Sequence, residues 1–323
     1  MREQLPQEFW KEHWQVVEYT VKDRTHGYIG GSDVSTIMGQ NPFKSPLMLW
    51  YEKKGLWKAE ETQPMVIGRE IEEFIIQKYE REENVQIYSL PAILSEPFVV
   101  HVDGIAIDPF GSLKVVEIKN IGAFNKHWGH YYWQVLAYMH ALGLQEADLA
   151  MLIGGNDFVI KHFQYNPEDA QRMLTEIDKF LKMLNGDVPP APSGIENETD
   201  MLLELLNYEG EQVYPDLDSA YSRLSEIREA KKQLETEETE IKNRILELMN
   251  EKQVNVMVGQ NVIAHVKTIK RKVLNTEEYK DELEKYYKEI EYKQLNFKAK
   301  KGGKKNGNTI ESYKRRCTHT FQY

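Results

Sequence analysis

Glu117, Ile118 and Lys119 sit inside an apolar run, Leu113–Asn120, and Asp103 lies fourteen residues before Glu117 in a second apolar run. Side chains alternate along a strand, so Glu117 and Lys119 share one face while Val116 and Ile118 share the other. Ionised groups on so apolar a strand are costly unless something compensates them. The connector Asp108-Pro109-Phe110-Gly111 has Asp at the first and Pro at the second turn position, which predicts a hairpin. A turn centred near Pro109–Phe110 pairs residues whose numbers sum to about 219–221 and sets Asp103 opposite 116–118. Two facing carboxylates repel unless a divalent cation sits between them. Hard oxygen ligands suit Mg²⁺, with Mn²⁺ as a substitute.

Phosphodiester hydrolysis is the chemistry such a set can perform. A cation held by Asp103 and Glu117 polarises the phosphate and lowers the pKa of a bound water. Lys119 orients that water or stabilises charge on the phosphate oxygens. The Ile118 carbonyl completes the metal's shell. The same spacing also describes an exposed hairpin with a surface ion pair, and the motif alone leaves both readings open.

These strands need a frame. Gly30-Gly31 followed by Ser32, read as an N-cap, predicts a short helix ending near Gly39. Ser45-Pro46 opens another, closed by Gly55. Ile67, Ile71, Phe74, Ile75 and Tyr79 recur at helical spacing from Met65 to about Glu82. Strands are expected over Pro97–Ile107 and Leu113–Asn120, and a helix over His127–Leu142, ended by Gly143. Strands at Ala147–Gly154 and Phe158–Phe163 and an amphipathic helix at Pro167–Leu184 follow. The expected fold class is α/β, a mixed central sheet flanked by helices.

Residues 1–190 would form this core. Residues 191–216, in a region rich in Pro, Gly and Asn, read as a linker. Over 217–253, Leu217, Leu224, Ile227, Leu234, Ile241, Ile245 and Leu248 follow a broken three–four spacing, which predicts a long helical or coiled-coil arm. Lys231 and Glu238 occupy two seam positions and weaken an autonomous coiled coil. Residues 254–323 read as a small basic module: a hairpin turning at Gly259-Gln260-Asn261, a charged helix over Thr276–Lys288, and a tail.

The net charge of −10 hides that tail. From Lys298 to Arg316 there are eight Lys/Arg against one acid, Glu311. Local charge decides where a polyanion can sit, so the tail is a DNA-backbone contact or a solvated appendage. Cys317 is the single cysteine, which excludes an intrachain disulfide and a cysteine zinc site. With a polar N-terminus and no apolar run near about 20 residues, a reducing, cytoplasmic location is expected.

Several ordered blocks narrow the choice. Gly30-Gly31-Ser32-Asp33, Met38-Gly39-Gln40-Asn41-Pro42-Phe43-Lys44-Ser45-Pro46, Leu49-Trp50 and Lys54-Gly55 come first. Gly68-Arg69-Glu70-Ile71-Glu72, His101-Val102-Asp103-Gly104, Val116-Glu117-Ile118-Lys119 and Tyr132-Trp133-Gln134-Val135 follow. Over roughly residues 20–190 this series resembles the YqaJ-type viral recombinases, relatives of the lambda-type phage exonuclease in the PD-(D/E)xK nuclease superfamily. The resemblance implies a restriction-endonuclease-like core. It makes Asp103 and Glu117 metal ligands and Lys119 the catalytic lysine. Glu72 becomes the helix glutamate of the metal site, and Gln134 the helix glutamine beside it. Ser32 becomes the reader of a DNA phosphate. Arg24 aligns with the arginine that accompanies that serine, across a spacing one residue longer than the family's.

The resemblance further implies a Mg²⁺-dependent exonuclease acting 5′→3′ on double-stranded DNA ends and leaving 3′ single-stranded tails for phage-type recombination. It implies a single-strand annealing protein as partner and a ring-like trimer as assembly. A catalytically silent recombination adaptor and a structure-specific endonuclease are the alternatives. His101, His127 and His130 lack zinc-like companions and read as surface or core residues. Trp128, Tyr131, Tyr132 and Trp133 can stack on bases or pack in the core.

Overall fold

The computed structural model describes residues 2–6, 9, 14–16, 27–123 and 128–268. Arg24, His127, the helix expected over Thr276–Lys288 and the basic tail lie outside the described residues. Along the chain come β1 (Gln15–Val16), β2 (Ile29–Gly30), α1 (Gly31–Ile37), α2 (Pro46–Lys53), α3 (Gln63–Glu83), β3 (Ile87–Tyr88), β4 (Ile93–Ser95) and β5 (Phe98–Val100). Then come β6 (Gly104–Ile107), β7 (Leu113–Ile121), α4 (Tyr131–Leu142), β8 (Glu146–Ile153), β9 (Asp157–Gln164), α5 (Pro167–Asn185) and α6 (Glu196–Leu205). α7 (Leu217–Glu251), β10 (Val256–Val258) and β11 (Ile263–His265) complete the described elements. Two compact units separate between Leu206 and Asn207.

The main sheet of the first unit has the order β3-β6-β7-β8-β9. β7 and β8 are parallel and the other pairs antiparallel, so the sheet is mixed, as expected. Parallel neighbours need a crossover, and α4 supplies it. On one face, Ile75, Ile76 and Tyr79 of α3 pack on Val116, Ile118, Ala150 and Leu152. On the other, Val135, Leu136 and Met139 of α4 join Val115 and Ala147 in the largest core cluster. A strand covered on both sides must be apolar on both, which explains the near-continuous apolar runs of β7 and β8. A smaller sheet, β1-β4-β5-β2, sets β2 parallel to β5.

Local chemistry explains the joints. The β6–β7 ladder pairs Gly104 with Val116 and Ile107 with Leu113, a sum of 220 inside the expected window. The Asp108 carboxylate accepts hydrogen bonds from the Phe110 and Ser112 N–H groups, both 2.8 Å, and so fixes the turn. Ser45 Oγ accepts from the Met48 N–H at 3.1 Å, which caps α2 ahead of Pro46.

Four expectations need correction. The strand expected over Pro97–Ile107 is broken into β5 and β6, and Asp103 lies in the break. Ser32 is not an N-cap: α1 starts at Gly31, Gly30 is the cap residue, and Ser32 is exposed in the first turn. Asp33 does the capping instead, accepting from the Gly30 N–H at 2.9 Å. Phe74 and Ile67 of α3 are exposed, so the buried stripe narrows to Ile75, Ile76 and Tyr79. The stretch read as linker, 191–216, contains α6, because Met201 has a core to enter with Leu47 and Met48 of α2.

In the second unit, described by itself, α7 is followed by the two-stranded hairpin β10–β11. No described helix is long and apolar enough to cross a membrane.

Candidate active site

The break before β6 builds the site. The β6–β7 ladder stops at Gly104↔Val116, so the Ile118 N–H has no main-chain partner from β6. The Asp103 carboxylate takes that place, with Oδ2 accepting from the Ile118 N–H at 2.8 Å. The side chain is thereby pinned beside Glu117, the residue its register position faces.

Glu117 is buried. Its Oε1 accepts from Lys119 Nζ and, at 2.6 Å, from Gln134 Nε2. Its Oε2 is equally buried and has no hydrogen-bond partner. Burial pushes the Glu117 carboxyl up, and the Asp103 charge pushes the same way, to about 8, against the pull of Lys119. Burial pulls the Lys119 ammonium down, but the Glu117 and Asp103 carboxylates outweigh it and hold the group above its ordinary value. The Lys119 Nζ also lies 5.3 Å from the centre of the Tyr131 ring.

Gln134 belongs to a relay that reaches α1. Its Nε2 also donates to Tyr138 Oη at 3.0 Å, and Tyr138 Oη donates to the His101 carbonyl at 3.1 Å. The Tyr138 ring lies against Gly31, where an added Cβ would stand 2.2 Å from Cε1. Only glycine fits there, and the first turn of α1, with Ser32, is drawn toward the site's supporting shell. The structure therefore groups Asp103, Glu117, Lys119 and Gln134, and links the α1 turn to them.

Glu72 joins from α3 through a residue that the sequence reading missed. Arg2 donates to the Asp103 carbonyl and, at 3.0 Å, to Glu72 Oε1. The Glu72 carboxyl is pushed up by partial burial first and by Asp103 second, with Arg2 and Lys119 opposing. No local signal marks Arg2, because its partners lie 70 and 101 residues away. Another missed pair is buried Lys53, whose Nζ lies 2.7 Å from Asp33 Oδ2 and ties α2 to the capping residue of α1. His130 is buried against Tyr131, and Trp133 is buried, so both serve packing.

A second polar group occupies the α3-facing side of the sheet. Donor atoms of Glu83, Asp148 and His162 lie within 4.8 Å of one another, a set that can hold a metal ion. Asp148 already has three partners: Tyr79 Oη donates at 2.6 Å, Lys114 Nζ at 3.1 Å, and His162 Nδ1 lies 2.8 Å away. The Lys114 charge neutralises the carboxylate and opposes a further cation, so its role is structural. The signal was present in the sequence as a lone Asp inside the apolar run Ala147–Ile153. Asp148→Ala is expected to destabilise the protein by about 1–3 kcal/mol, because it strands the hydroxyl of buried Tyr79 and removes one partner of half-buried Lys114. Denaturant unfolding measures this, and an equal loss only after chelation would point to a bound metal instead.

Comparison with known proteins agrees with the blocks read from the sequence. Residues 21–145 match the model of the YqaJ-like viral recombinase domain. The resemblance holds over that span, which contains Asp103, Glu117, Lys119, Glu72, Gln134 and Ser32. Within that span the structure is a mixed α/β core, with Asp103 at the mouth of the β6–β7 hairpin and Glu117 and Lys119 on its partner strand. The chain is also 26% identical to the uncharacterized protein YqaJ of Bacillus subtilis (strain 168) over 282 residues, 81% of this chain and 87% of that protein. Among solved structures, an alkaline exonuclease from Laribacter hongkongensis overlaps with a TM-score of 0.41 at 18% identity, covering 57% of this chain and 97% of that one. A phage related exonuclease from Haemophilus somnus 129PT overlaps with a TM-score of 0.41 at 12% identity, covering 50% of this chain and 96% of that one.

Proposed function

We propose that the protein is a divalent-metal-dependent DNA exonuclease with its centre at Asp103, Glu117 and Lys119. One observation carries this reading. Glu117 is buried beside a second carboxylate, yet its Oε2 has no hydrogen-bond partner. A buried acceptor left empty costs about 1–3 kcal/mol or more, and a fold retains it where a ligand completes it. The oxygen-rich donor set fits a hard divalent cation, Mg²⁺ with Mn²⁺ as substitute. Asp103, Glu117, the Ile118 carbonyl and Glu72 would hold it. When bound, such an ion polarises a scissile phosphate and lowers the pKa of a coordinated water.

The chain's own residues do the rest. Gln134 and Lys119 hold Glu117 Oε1, so Oε2 is the oxygen that would take a cation. Lys119 donates to the phosphate oxygens or to the attacking water as negative charge develops. Ser32, at the α1 turn linked to the site through Tyr138, binds a phosphate of the DNA, with Arg24 as its companion. The YqaJ-like viral recombinase domain supports DNA as the substrate. We extend the reading to 5′→3′ digestion of duplex ends that leaves 3′ tails for an annealing partner. A ring-like trimer acting in the cytoplasm of a host cell fits that role.

The test is digestion of linear duplex DNA, with and without a 5′-phosphate, beside closed circular DNA. Degradation of the linear form alone, dependent on Mg²⁺ and abolished in Glu117→Ala, is the expected result. Cutting of circles would replace the exonuclease by an endonuclease. Inactivity with metal present, but with DNA bound, would favour the silent adaptor.

A further inference from the structure

The second unit carries a surface that hydrolysis does not use. α7 has 35 residues, roughly 50 Å of helix, and Met249 is its single buried residue. Leu217, Leu224, Lys231, Glu238 and Ile245 recur every seven residues, and Ala220, Ile227, Leu234, Ile241 and Leu248 follow each by three. That is a heptad seam five repeats long. Ile227, Leu234 and Ile241 on it are 51%, 65% and 49% exposed. An exposed apolar stripe of this length, interrupted at Lys231 and Glu238, marks an interaction site.

The two charged seam positions select the occupant. In a parallel pair, identical seam positions meet. Lys231 would face Lys231 of the partner subunit, and Glu238 would face Glu238 of the partner subunit, stacking like charge in an apolar seam. In an antiparallel pair the two classes of seam position alternate across the interface. With the two-fold axis level with residue 236, Leu224 packs on Leu248 of the partner subunit and Ile227 on Ile245 of the partner subunit. Lys231 then lies one layer from Glu238 of the partner subunit, and the symmetry makes that pairing twice. Within one helix these residues already pair with exposed neighbours, Glu238 with Lys242 at 2.6 Å and Lys231 with Glu235 at 4.0 Å. Exposed pairs of this kind contribute little, so exchanging them costs little.

We infer that the α7 seam binds a second copy of this chain, antiparallel, with Lys231 and Glu238 setting the orientation. The inference does not rest on the nuclease reading.

The full chain with Cys317→Ser is the starting material. Light scattering should show that wild type holds an even number of chains (two trimers where the proposed ring forms), that Lys231→Glu halves the particle mass, and that Lys231→Glu with Glu238→Lys restores it. An unchanged mass in Lys231→Glu, or a double variant that stays at half mass, overturns the inference. Orientation is read by oxidation of cysteine variants. An equal mixture of Ile227→Cys and Ile245→Cys chains should give mainly the mixed disulfide. Efficient self-linking of Ile227→Cys chains alone would show a parallel pair and overturn the proposed orientation.

Discussion

Glu117→Gln is expected to remove about 10³-fold or more of the DNA-degrading activity while making the metal-free protein more stable at pH 8. The loss follows from replacing a ligand oxygen, and electrostatic contacts in such centres commonly contribute about 10²–10³ each. The gain follows from proton linkage. Burial and then Asp103 raise the Glu117 carboxyl from 4.5 to about 8. Between those values the folded protein holds a proton that the unfolded chain has released. Stability therefore falls as pH rises through that window, and is full only below the unfolded value. Metal-free wild type should melt several degrees lower at pH 8 than at pH 5, and Glu117→Gln should flatten that difference. Adding Mg²⁺ at pH 8 should return the lost stability to wild type by mass action and leave the glutamine variant unmoved. Thermal melts in chelator and in Mg²⁺ read all four states. A wild type whose melting is indifferent to both pH and metal would remove Glu117 from the centre.

Lys119→Ala is expected to lower the rate by about 10²–10³-fold with DNA binding largely retained. Its structural effect should be opposite to that of Glu117→Gln. Lys119 is the ammonium that compensates Glu117, and above about pH 8, where Glu117 ionises, its removal sets two carboxylates against one another. Breaking a buried pair on one side costs about 3–5 kcal/mol. The alanine variant should be markedly less stable than wild type in chelator and should regain most of the difference in Mg²⁺. Lys119→Arg should not rescue activity, because a planar guanidinium cannot occupy the place of a point charge held between Glu117 and Tyr131. Single-turnover kinetics and DNA-binding titrations separate the two effects. Equal loss of binding and rate would make Lys119 a DNA-backbone contact instead.

The geometry of the candidate site was legible because it rests on local rules. Asp108-Pro109 fixed a turn, the turn fixed a register, and the register placed Asp103 against Glu117 to within one residue. Strand alternation then put Lys119 beside Glu117. What escaped was long-range. Arg2 reaches Glu72 across 70 residues, and Tyr79 reaches Asp148 across 69. The broken strand escaped because Val102 is apolar and buried like Val99 and Val100, so strand-like spacing carries into the break while the ladder does not. Serine is a good cap, which points to Ser32, but the Asp33 carboxylate, one residue on, accepts from the Gly30 N–H and moves the helix start to Gly31. Helix α6 escaped because its amphipathic face is short and its core partner lies on α2.

The three-residue break at 101–103 does more than release an N–H. Gly30 pairs with Val99 of β5, and β5 runs on through the break to Asp103. The backbone that carries the entrance to α1 is thus the backbone that delivers the carboxylate. Under the proposed function, this single rail works as a caliper between the point where a DNA end is gripped and the point where it is cut. The interval is set by main chain rather than by side-chain choice. Ser32→Ala should weaken the grip without changing the length of the fragment released, whereas inserting one residue into 101–103 should change the length itself. Sizing the products on a sequencing gel distinguishes a loosened jaw from a reset gauge.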